Sequence, residues 1–127
     1  MEKQISFTDL EYGKRRKVTK REVFLTKMDA VLPWKEWVEL VRPFFPDGKR
    51  GRPPQEIEVM LRMLMLQVWF QLSDEGVEDA IYDSYAMKSF LGLNFAKGAQ
   101  VPDAPTLAKF RNTLPTHGLR KNFFEPV

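Results

Sequence analysis

Cysteine is absent, so neither disulfides nor thiolate metal sites are open to this chain. Histidine occurs once, at His117 beside Gly118. A lone imidazole without cysteines or paired carboxylates does not make a zinc site, so a capping or exposed role is expected for it. No GxSxG, HExxH, Walker A or dinucleotide fingerprint occurs. Acids at four-residue spacing, Glu75, Asp79 and Asp83, follow one helical face and are expected to be solvated or paired with cations rather than to hold Mg²⁺. No cofactor is therefore expected. Long apolar runs are missing too. The longest, Met63 to Phe70, is interrupted by Gln67 and falls far short of the roughly 20 residues that span a bilayer. The start, MEKQISFTDLEYG, has no apolar stretch behind a basic head, so no signal peptide is expected. Internal repeats and low-complexity tracts are absent. So are alternating runs of β-branched residues, which removes the usual signal for strands.

What is present suits one compact helical domain. The chain has 127 residues, 43% of them hydrophobic and 13% aromatic, which is enough to build a core. Its formal net charge is only +3, but the charge is segregated. The stretch KRRKVTKR, Lys14 to Arg21, holds six cations and no acid, whereas residues 56–83 hold seven acids against one cation, Arg62. Such segregation points a basic surface at a polyanion, unless the charges are merely solvated or locally paired.

Residues 1–18 lack periodicity and read as a basic arm; residues 19–127 read as the helical domain. Thr19 is placed to cap the first helix, with Glu22 three residues on, and Val23, Phe24, Met28, Val31 and Leu32 follow at helical spacing. Pro33 ends that helix and opens a second, with Trp34, Trp37, Val38 and Val41 on one face. The third helix, from Pro54 to about Leu72, is apolar nearly all round, so it should be the buried spine of the fold, Trp69 included. Within it Glu58 and Arg62 form a favourable i,i+4 pair. Ser73 or Asp74 caps a fourth helix with Val77, Ala80, Ile81, Tyr85 and Met87 inward. A short fifth helix stops at Gly92, and Asp103 caps a sixth striped by Leu107, Phe110 and Leu114. The fold class expected is all-α, a multi-helix domain around a buried central helix with a loose helix-turn-helix-like C-terminal half.

Three features suit nucleic acid. The segment DGKRGRPPQEIE contains Lys49 and an Arg50-Gly51-Arg52-Pro53 core that resembles an AT-hook. Glycine permits close backbone approach, the prolines keep the chain extended, and the narrow minor groove attracts arginine. Few acids stand close by in sequence; the alternative is a charged loop that only sets the entry of the spine helix. The second feature is the arm, Lys14, Arg15, Arg16, Lys17, Lys20 and Arg21, which suits sequence-independent contact with phosphates. The third is the last helix. With Leu107, Phe110 and Leu114 inward, Lys109, Asn112, Thr113 and Thr116 occupy the opposite face, where Lys and Asn can read base edges. Arg111 lies at the edge of the core stripe, where it either reaches phosphate or pairs with Glu78 or Asp79.

The stretches ISFTDLEY, REVFLTKMDAVLPW, GRPP, EVMLRMLMLQVWFQLSDEGVEDAIYDS and PDAPTLAKFRNTL followed by HGL carry a family resemblance. From about residue 5 to 125 the chain resembles the N-terminal part of bacterial transposases of the insertion-sequence-five family. The resemblance implies an α-helical module that binds double-stranded DNA at the element's terminal inverted repeats and helps assemble the transposase, as a homo-oligomer or with full-length enzyme. It implies a bacterial cytoplasmic, nucleoid-associated location and no membrane partner. In that family the chemistry belongs to a following RNase-H-like domain with an acidic triad. Here the sequence stops at FFEPV, so this chain is expected to lack catalytic residues and to be no enzyme by itself. The alternatives are a stand-alone truncated regulator or inhibitor derived from such a domain, and a protein-interaction module with incidental cations.

Overall fold

The computed structural model describes residues 17–44, 46–47, 50–51, 54–92 and 100–114. Six α-helices lie among them: α1 Lys20–Val31, α2 Trp34–Val41, α3 Pro54–Phe70, α4 Asp74–Asp83, α5 Tyr85–Leu91 and α6 Ala104–Thr113. The domain is all-α apart from one small ribbon. A 3₁₀ turn, Arg42–Phe44, follows α2, and two-residue strands β1 Pro46–Asp47 and β2 Arg50–Gly51 pair antiparallel before α3. No strand was expected there, because two residues are too few to show alternation; only pairing makes them a strand.

The helix boundaries follow local chemistry. Thr19 accepts from the Glu22 amide, Ser73 from Gly76, Ser84 from Met87 and Asp103 from Thr106, so each N-terminus has one orphan donor satisfied by its cap. At Gly76 the absent side chain matters: a Cβ there would lie 2.9 Å from the Ser73 hydroxyl oxygen. Gly92 ends α5 in the left-handed conformation (φ 75°) that glycine adopts at no cost.

The spine helix ends two residues earlier than its apolar pattern suggests. Gln71 takes φ 53°. The Leu72 amide donates to the Gln67 carbonyl and the Gln71 amide to Val68, a Schellman closure built without glycine. Tyr85, assigned by pattern to the inner face of the fourth helix, starts α5 instead, because Ser84 ends α4 and caps α5.

Helix α3 is the core. Ile57, Met60, Leu61, Met63, Leu64, Met65 and Leu66 are buried, against Val38 and Val41 of α2, Val77 and Ile81 of α4, Met87, Phe90 and Leu91 of α5, and Leu107 and Phe110 of α6. Burial is not uniform along it. Val68 is exposed and Trp69 only half-buried, with its ring edge-on to Phe24 at 5.2 Å and Phe90 at 5.7 Å. The expectation that Trp69 is a fully buried core residue is corrected accordingly: the C-terminal turn of α3 emerges between α1 and α5 rather than beneath them.

Arg62, the one cation on this helix, is buried. Its Nε donates to Glu58 at 2.9 Å, as the spacing predicts, but the guanidinium reaches much further. One terminal nitrogen donates to the Phe90 carbonyl at 2.8 Å and lies 2.7 Å from the Asp29 carboxylate. The Trp34 and Phe90 rings stand 4.4 and 4.9 Å from the guanidinium carbon. Arg62 therefore joins α1, α3 and α5 and satisfies an orphan carbonyl at the end of α5.

Candidate nucleic-acid interface

Helix α6 is fixed at both ends, and the two tethers come from the same face of α4. At its start the Ala104 amide donates to Glu78 Oε1 at 2.9 Å, beside the Asp103 cap. Near its end Arg111 forks onto Asp74, at 2.6 Å to Oδ1 and 3.1 Å to Oδ2. Gln67 of α3 closes a triangle: its amide nitrogen donates to Asp74 Oδ1 at 2.6 Å and its oxygen accepts from Arg111 at 3.2 Å. Arg111 thus pairs internally, but with Asp74 rather than with Glu78 or Asp79. Glu78 is engaged at the start of α6, one turn further along α4, and Asp79 is exposed on another side of the helix.

The electrostatics agree with this geometry. Hydrogen bonds from Arg111 and then from Gln67 hold the Asp74 carboxyl below the usual carboxylate range, and the Asp74 carboxylate raises Arg111 above its ordinary value. Asp103 is also lowered, by the hydroxyl and amide of Thr106.

With Leu107, Phe110 and Leu114 buried beneath it, α6 turns Lys109, Asn112 and Thr113 outward, and all three are exposed. The Thr113 hydroxyl donates back to the Lys109 carbonyl at 2.8 Å, so its proton is committed within the helix. The remaining expected sites are dispersed. Lys17 and Lys20 are exposed at the start of α1. Arg21 stacks over the Phe70 ring at 5.0 Å, so part of its role is to cover the end of the spine helix. The backbone of Arg50 is in β2, with Asp47 as its cross-strand partner. An acid is therefore that residue's register neighbour, which linear spacing alone did not make evident. Lys14, Arg15, Arg16, Lys49, Arg52, Thr116 and His117 lie outside the described residues, as does the tail after Leu114.

The surface that results is a short helix held rigidly on a buried core, with polar side chains outward and its flanking cation tied down. Among the described residues no group of three His, Asp or Glu side chains comes together as a metal site. Sequence spacing placed the outward face of α6 but missed the Asp74–Gln67 tether, since those partners stand 37 and 44 residues from Arg111. The one available signal was an arginine at the edge of an apolar stripe with acids elsewhere.

A transposase domain family (DUF772) matches residues 14–113, ending on the last residue of α6. The chain belongs to this family. The match takes in the end of the basic arm, the spine helix and the tethered α6, so the elements just described are those of a transposase domain. No solved structure matches the chain. Among its described residues, no helix is long and apolar enough to cross a membrane.

Proposed function

We propose that this transposase domain is a DNA-binding module, recognising the terminal inverted repeats of its element and assembling there as a homo-oligomer or with full-length transposase. The observation that carries the reading is the outward face of α6. Lys109, Asn112 and Thr113 stand exposed on a helix whose core side is fully committed. Amide and ammonium groups on a rigid helix suit base edges in a major groove, in the manner of a helix-turn-helix reader. Lys14–Arg21 and the Lys49–Arg52 segment add phosphate or minor-groove contacts in this reading, and Arg50 and Arg52 do so beside the site read by α6. In this reading the domain supplies DNA binding in a bacterial cytoplasm, and the strand-transfer chemistry is assigned to a separate RNase-H-like domain of the transposase.

Binding to a duplex carrying the element's end repeat, followed over a salt series, tests the proposal. Lys109→Ala with Asn112→Ala should weaken repeat binding while leaving the melting temperature nearly unchanged, because both side chains are exposed. Arg50→Ala with Arg52→Ala should weaken binding and flatten its salt slope by about 1 or 2. If neither pair changes DNA binding, and a protein partner co-purifies instead, the domain is an interaction module.

A further inference from the structure

Helix α6 carries two cations, Lys109 and Arg111, and no acid. They are treated differently. Lys109 is exposed, whereas Arg111 spends both terminal nitrogens on the two oxygens of Asp74 and one of them also on Gln67. Its side chain keeps 28% of its exposure, so it stands at the rim of the outward face rather than in the core. An arginine there has the reach for phosphate. To use it, the chain would give up a bidentate, charge-assisted pair and leave a carboxylate facing the duplex.

We propose that Asp74 is a specificity-determining residue of this domain, withholding Arg111 from the phosphate backbone so that α6 meets DNA with a single uncompensated cation. The inference rests on the DNA-binding reading above. Phosphate contacts give affinity without sequence information, and each adds to binding of every duplex alike; base-edge contacts discriminate. Neutralising Arg111 lowers the first kind of contact and leaves Lys109, Asn112 and Thr113 to supply the second. Gln67 holds the Asp74 carboxylate in place for this: it donates to the same oxygen that Arg111 grips and accepts from the same arginine nitrogen. The Ala104–Glu78 bond keeps the start of α6 in register independently, so loss of the Asp74 charge need not detach the helix.

The test is the affinity of the whole chain for a random-sequence duplex across a salt series, beside a duplex carrying the end repeat. Asp74→Asn keeps the size and much of the hydrogen bonding while removing the charge. It should tighten random-duplex binding several-fold, steepen the salt slope by about 0.9, the share of one added phosphate contact, and narrow the preference for the repeat. Adding Arg111→Gln should return the slope to the wild-type value, which a purely structural role for Asp74 would not predict. Should Asp74→Asn unfold the chain, Gln67→Leu loosens the same clamp without altering either charge and should move slope and preference in the same direction, less far. An unmoved slope in the folded variants overturns the proposal. So does a slope that stays steep in Asp74→Asn/Arg111→Gln, because the effect would then be loss of repulsion by Asp74 itself. A slope shallower than wild type in Asp74→Asn/Arg111→Gln overturns it too, because Arg111 would already be touching phosphate. A wild-type chain that binds no duplex even at low salt sinks the DNA reading and the proposal with it, an outcome distinct from the other three.

Discussion

Arg62 and Arg111 each grip a carboxylate on another helix, yet they do different work. The Arg62 side chain is 10% exposed, lies against two aromatic rings and reaches three acceptors from α1, α3 and α5. The Arg111 side chain is 28% exposed, and its partner Asp74 equally so. Water reaches the second pair and screens it; in the first only the guanidinium is desolvated, Asp29 remaining 55% exposed, so the acceptor costly to leave behind is the buried Phe90 carbonyl. One arginine ties three helices together beneath the surface, and the other fastens a surface helix to α4 at its rim. The same side chain, in the same kind of pair, changes role with burial alone.

Substitution at Arg62 should produce the largest loss. Arg62→Ala removes the guanidinium from between Trp34 and Phe90 and orphans the Phe90 carbonyl, at about 3 kcal/mol by chemical denaturation. Arg62→Met should recover part of that by refilling the volume. If Arg62→Ala costs no more than Arg111→Ala, burial does not separate the two sites.

Trp69→Ala should come next, at about 2 kcal/mol, since the half-buried ring packs edge-on against both Phe90 and Phe24. A loss near that of a fully buried tryptophan would show that the end of α3 is more enclosed than its exposure indicates.

The Asp74–Arg111 coupling, measured by a double-mutant cycle, should be smaller, about 1 kcal/mol. It should also be the acid-sensitive one. Because Asp74 titrates lower in the folded chain than in the unfolded one, its contribution is complete above about pH 4 and is lost as pH falls through the depressed native value. Thermal melts of wild type and Arg111→Gln should therefore converge below that range and separate above it. Parallel curves throughout would show that the pair contributes nothing.

The smallest effect should be a gain. Gln71→Gly relieves a left-handed residue at the end of α3, between Gln67 and Asp74, and should stabilise by about 0.5–1 kcal/mol. A decrease would mean that the glutamine side chain has a role there that outweighs its backbone strain.

Features set by neighbours in sequence were legible in advance. The caps at Thr19, Ser73 and Asp103, the break at Pro33, the stop at Gly92 and the inward stripe of α6 depend on residues three or four apart, and the structure has them in place. The stop at Gln71 was not legible, because glutamine carries no preference for that conformation. The ribbon at Arg50 was missed because it exists only through pairing with Asp47. Trp69 was misjudged because periodicity gives a face and not a depth; how far α1 and α5 extend over that face is a matter of packing.

Composition and spacing by themselves determined an all-α chain built on one apolar helix, with its cations in an arm, a proline-rich loop and a late helix. Tertiary structure alone decided which charges remain available at the surface. Arg62 is taken by Asp29, Glu58 and the Phe90 carbonyl, and Arg111 by Asp74 and Gln67. Formal charge is a property of the residue, but its reach into solvent depends on which carboxylate the fold brings within about 3 Å, and most of these partners are dozens of residues away in the chain.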